Sequence, residues 1–146
     1  DALARGLSAS ERDAVRVQLR PSPPISAGVL AADVGAHAMM DVSDGLVLDA
    51  TRMADASKVT IDFDSPRVAP AGGADGLSDL TRLTHALTGG EDHALLATFA
   101  PGALPAGFRP IGLVRERGEH SVLVDGVAFD GHGGWDPYRD WDAQTG

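Results

Sequence analysis

Apolar residues recur along this chain with two different periods, and the switches between them mark its elements. Leu46, Ala50, Met53 and Ala54 fall at helical spacing as far as about residue 56 and predict an amphipathic helix. Leu77, Leu80, Leu83 and Leu87 predict another, with all four on one face and Thr88-Gly89-Gly90 as its stop. A short helix is expected over residues 26–33, broken by Gly35. Short apolar or alternating runs predict strands at residues 37–42, 59–63, 94–99, 111–115 and 121–124. Val124-Asp125-Gly126-Val127 is a two-residue hairpin signal, because Asp-Gly supplies the positive φ angles such a turn needs. Residues 64–76 are rich in Pro, Ala and Gly and read as a surface loop. Near the start, Ser8 and Glu11 have capping-box spacing, so a helix should run to about residue 19. The stiff Arg20-Pro21-Ser22-Pro23-Pro24 segment then stops it. Helices and strands are interleaved without any repeat, which implies a mixed α/β fold with sheet packed against helices.

Composition narrows the function classes. A chain of 146 residues fits a single domain, and its 43% hydrophobic content suits a packed core. No apolar run approaches the ~20 residues of a membrane helix, so no membrane role is expected. The absence of cysteine excludes disulfide scaffolds, thiolate zinc sites and cysteine nucleophiles. The formal charge of -9 disfavours nucleic acid as a partner, and a phosphorylated ligand would need metal ions between itself and the carboxylates. No charged and apolar leader pattern is visible from Asp1 onwards, and a cytoplasmic setting is expected.

Three segments could carry chemistry. In Asp41-Val42-Ser43-Asp44-Gly45 a strand end meets a helix start. Asp41 and Asp44 there could hold Mg²⁺ while the Ser43 hydroxyl and free N–H groups face a phosphate. Ordinary helix capping explains the same residue types. In Leu87-Thr88-Gly89-Gly90-Glu91-Asp92 the glycines let the backbone approach a ligand closely and the acids suit a cationic ligand or a metal, but a helix end and a solvated turn would look alike. The tail gathers Trp135, Tyr138 and Trp141, able to stack on a cationic heterocycle or simply to pin the terminus. The five histidines (His37, His85, His93, His120, His132) show no zinc spacing, and no nucleophile elbow is present.

Taken in order, these segments resemble the C-terminal half of the thiamine-monophosphate kinase family. That family lies in the superfamily of ATP-dependent synthetases and kinases that includes aminoimidazole ribonucleotide synthetase. The likeness runs through Arg20-Pro21, Met40-Asp41-Val42-Ser43-Asp44-Gly45-Leu46 with Asp49 after it, and Leu87-Thr88-Gly89-Gly90-Glu91-Asp92. It continues through Leu95-Leu96 and Ile111-Gly112 to Gly134-Trp135-Asp136. It implies transfer of the ATP γ-phosphoryl group to thiamine phosphate with Mg²⁺, giving thiamine diphosphate. Asp41 and Asp44 would bind Mg²⁺, Ser43 would contact ATP, and Glu91 and Tyr138 would contact thiamine phosphate. No residue would serve as a covalent catalyst.

By the same resemblance, residues 1–19 would be a connecting helix from an N-terminal half that is not in this sequence. Residues 20–146 would form the C-terminal domain, inactive alone and homodimeric in the complete protein. His93 and Ala94 stand where the family has Tyr and Glu. A sibling synthetase with another acceptor and a noncatalytic binding domain of the same fold are the competing readings.

Overall fold

A computed structural model describes residues 24–70, 76–90 and 94–129. Pro24 leads into α1 (Ile25–Asp33), and the chain leaves it through Gly35 at φ 81°. There follow β1 (Ala38–Val42), α2 (Leu46–Ser57) and β2 (Val59–Phe63). The single turn α3 (Ser65–Val68) precedes α4 (Asp79–Thr88) and β3 (Ala94–Thr98). The last elements are β4 (Gly112–Glu116), β5 (Val122–Val124) and β6 (Val127–Ala128). The mixed α/β class and nearly all these elements match the sequence pattern. The helix expected before residue 20 and the aromatic tail lie outside the described residues.

The strands divide between two sheets. β1 and β3 form an antiparallel pair, and β4-β2-β5-β6 form the other sheet, with β2 and β5 parallel. α2 packs on both β1 and β2 and joins the two layers. Its buried side, Val47, Ala50, Met53 and Ala54, meets Val42, Leu96, Ile61, Phe63 and Val122 in one core. Burial of this apolar area is the main driving force for the arrangement.

Two expectations change. The loop predicted at 64–76 contains α3, because Asp64 caps it by accepting the Arg67 N–H at 3.1 Å and Pro66 sits in its first turn. That turn carries Val68 into the core. The leucine stripe of α4 also shifts. Leu77 precedes the helix and Leu80 is 74% exposed, whereas Leu83, Ala86 and Leu87 pack inward. Only the C-terminal half of α4 reaches the core.

β2 is buried along most of its length, including Thr60 and Asp62. Each polar side chain is satisfied. Thr60 Oγ1 donates to the His120 carbonyl at 2.7 Å and accepts the Gly118 N–H at 2.9 Å. Asp62 accepts the Gly126 N–H at 2.9 Å and pairs with Arg115 at 2.7 Å. Buried polar groups without such partners would be strongly destabilising.

The hairpin forms as its sequence predicts. Asp125 and Gly126 take φ 52° and 78°, and Val124 pairs with Val127. Asp125 also fastens the turn to α3, accepting the Ser65 N–H at 3.0 Å and the Ser65 hydroxyl at 2.6 Å. Those bonds hold its carboxyl below the usual carboxylate range. A lowered native pKa stabilises the fold above the unfolded value near 3.8, and the contribution fades as pH falls through the native value. Asp125→Asn keeps the turn's backbone preference while removing the charge. It should lower Tm by roughly 1–3 °C at pH 7, with the gap to the parent closing below about pH 4, as read by thermal melts across pH.

Candidate functional site

The Asp41–Gly45 elbow is built by the strand pleat. Ala38, Met40 and Val42 turn towards the core, so Met39 and Asp41 face outward on the other side of β1. Ser43 and Asp44 make the bend. Gly45 then starts α2 at φ 124°, ψ 142°, a conformation that L side chains rarely adopt. No side chain caps the helix, although Ser and Asp are favoured caps. The capping explanation of Ser43 and Asp44 is thus not what the geometry shows.

Asp49 does the holding from inside the helix. It is fully buried, and its Oδ2 accepts the N–H of Ser43 at 2.9 Å and of Asp44 at 3.0 Å. Its Oδ1 accepts from Arg52 Nη1 at 2.8 Å. The same Nη1 reaches Asp44 Oδ2 at 2.5 Å, and this bond is the main reason the guanidinium pKa is raised. The bend therefore has its backbone donors satisfied from within, leaving Ser43 and Asp41 exposed to solvent.

The second motif meets the first. A Cβ on Gly90 would stand 2.6 Å from the Ser43 carbonyl oxygen, so only glycine lets this segment lie against the elbow. At Gly89 a Cβ would stand 2.6 Å from the His85 carbonyl, which already accepts the Gly89 N–H at 2.7 Å. On the other side of residues 91–93, Ala94 pairs with Val42 in the β1–β3 ladder. The paired glycines thus serve an approach of backbone to backbone. Glu91 and Tyr138 lie outside the described residues. Next to both motifs is a cavity of about 330 Å³ whose walls include Val42, Leu46, Ala86, Leu95 and Phe108.

The donor chemistry suits a hard cation. Asp41 and Asp44 offer carboxylate oxygens and Ser43 a hydroxyl, the ligand types Mg²⁺ prefers. Among the described residues, no three acids or histidines cluster closely enough to enclose an ion. Mg²⁺ commonly sits on one or two carboxylates and completes its shell with water and phosphate oxygens, so the elbow fits one side of such a site. Sequence reasoning quoted Asp49 as part of the motif but missed its structural task, and it missed Arg52 altogether. The available signal was spacing, since an acid and an Arg at i and i+3 share one helix face.

Truncation of Asp49 should be felt in folding. Asp49→Ala removes the single acceptor of both bend N–H groups and leaves Arg52 one partner fewer. It should cost about 2–4 kcal/mol of unfolding free energy, read from denaturant melts.

Known proteins bear on this geometry. The family model for the AIR synthase related protein, C-terminal domain, matches residues 2–104. A thiamine-monophosphate kinase of Mycobacterium tuberculosis is 44% identical over 88% of this chain and 39% of its own length. A thiamine-monophosphate kinase of Corynebacterium glutamicum is 43% identical over 67% of this chain and 30% of its own. The chain thus spans two fifths or less of these relatives. The solved structure of AaThiL complexed with AMPPCP and TMP superposes with a TM-score of 0.70 at 28% identity, covering 90% of this chain and 43% of that one. The thiamine monophosphate kinase of Aquifex aeolicus gives 0.66 at 29% identity, covering 88% of this chain and 44% of that one. The fold, the elbow and these likenesses agree, and the chain belongs to the AIR synthase related family through its C-terminal domain.

Proposed function

We propose that this chain is the C-terminal part of a kinase that transfers the γ-phosphoryl group of ATP to thiamine phosphate. The observation that carries the reading is the outward-facing carboxylate elbow, braced by Asp49 and Gly90, in a chain so similar to thiamine-monophosphate kinases. In the transfer, the bond between the γ-phosphorus and the β–γ bridging oxygen breaks. A new bond forms to a terminal phosphate oxygen of the acceptor, and ADP and thiamine diphosphate leave. Such a reaction needs positioning and charge neutralisation rather than a covalent protein intermediate.

In this reading Asp41 and Asp44 hold Mg²⁺, and Ser43 contacts ATP. When bound, Mg²⁺ would supply charge neutralisation between an acidic protein and a polyphosphate. Glu91 and Tyr138 are assigned to thiamine phosphate, where a carboxylate and an aromatic face suit its cationic ring. The nearby apolar cavity offers room for the organic part of a ligand. Residues 1–19 connect to an N-terminal half that would supply further acids and the homodimer contact. A cytoplasmic setting, with its ATP supply, belongs to the same proposal. No helix among the described residues is long and apolar enough to cross a membrane.

The test is thiamine diphosphate formation from Mg-ATP and thiamine phosphate, by this chain alone and by a protein extended upstream. Activity is expected only in the extended form. In that form, Asp44→Asn should lower kcat/KM for Mg-ATP by at least about tenfold, while Glu91→Gln should mainly raise KM for thiamine phosphate. An extended protein that makes no thiamine diphosphate overturns the proposal. ADP release with a different acceptor would indicate a sibling synthetase instead.

A further inference from the structure

The two carboxylates that share Arg52 are not equivalent. Asp49 is fully buried, and its second oxygen is committed to two backbone N–H groups, so its contact with Arg52 is fixed. The Asp44 side chain is 28% exposed and that of Arg52 40%. An ion pair so open to water is worth little, which makes it the contact able to break. We propose that Arg52 is a built-in counter-ion for Asp44, which it occupies until a divalent cation takes the carboxylate. The inference rests on the reading of Asp44 as a cation ligand.

The physical argument is one of shared oxygens. Arg52 Nη1 occupies one lone-pair site of Asp44 Oδ2, so a cation that takes up that site has to displace the guanidinium from its present place. Asp49 keeps the released guanidinium close by, tethered at 2.8 Å. Its positive charge then remains within a few ångströms of any cation on Asp44. The pair lowers the affinity of Asp44 for cations and, in their absence, keeps the carboxylate in one orientation. A purely structural Arg52, holding the helix to the elbow, would leave cation affinity unchanged.

Mn²⁺ is the probe, with its free form counted by electron paramagnetic resonance in the extended protein without nucleotide or acceptor. Arg52→Gln should tighten Mn²⁺ binding about threefold to tenfold, from the loss of one nearby charge in a high-dielectric site. The gain should vanish when Asp44→Asn is also present. Arg52→Lys, which keeps the charge and guards against a Gln variant that does not fold, should bind Mn²⁺ as the parent does.

Equal or weaker binding in folded Arg52→Gln overturns the proposal, as does a gain that persists in the double variant. Tighter binding by Arg52→Lys or the absence of any Asp44-dependent Mn²⁺ binding overturns it too. Thiamine diphosphate formation scores the kinase reading separately. A protein that makes none of it but shows the Asp44-dependent gain keeps the counter-ion and loses the kinase, and the reverse pattern does the opposite.

Discussion

The site depends on one buried carboxylate. Asp49 takes the N–H groups of Ser43 and Asp44 on a single oxygen, and those two bonds hold the turn between β1 and α2. Without them the bend would present unpaired donors to the interior or reorganise to find water. Because Asp49 sits on the helix that joins both sheets, the elbow is held by the same element as the core. A bend anchored in this way is held close to one shape, and a ligand binding there would find less left to order.

The second sheet solves a related problem in another manner. Its central strand buries Thr60 and Asp62, and the partners of both come from segments distant in sequence: residues 118 and 120, Arg115 and Gly126. These bonds fix where β4 and the β5–β6 hairpin sit against β2. Asp55 adds a tie at the surface, accepting from Ser121 Oγ at 2.6 Å and Arg117 at 2.8 Å, which together draw its carboxyl below the ordinary range. The polar contacts therefore specify register and placement, while the apolar core provides most of the driving force.

Much of this was legible in the chain. Period and punctuation located α1, β1, α2, β2 and the hairpin to within a residue or two, because each has its own local signature. The capping turn at Asp64 was hidden by a Pro- and Ala-rich stretch whose composition suggests loop. The exposure of Leu80 was hidden because periodicity shows which residues share a face, not how far along that face the core extends. At the site, the motif residues were visible, but the glycines were expected to let backbone approach a ligand, whereas Gly90 lies against the Ser43 carbonyl. What Gly90 approaches, and what Asp49 and Arg52 grip, depend on pairing between β1 and β3 and on a helix start that avoids the usual cap. No local pattern encodes those contacts.

That departure from capping is itself informative. Asp64 and Ser78 cap α3 and α4 through their side chains, so this chain uses the device where it is free to do so. At the start of α2 it places Ser and Asp in sequence just before the helix and then declines to cap with either. The backbone is secured from the other side instead, by a glycine with a positive φ and by a buried acid. The result is a bend whose backbone is held without either the Ser43 or the Asp44 side chain as a cap. Local rules broken with a compensating arrangement nearby are characteristic of functional positions. Ser43 and Asp41 are left to solvent, and Asp44 is paired with Arg52. In a chain carrying a net charge of -9, the proposed site would take cations first and phosphates only through them.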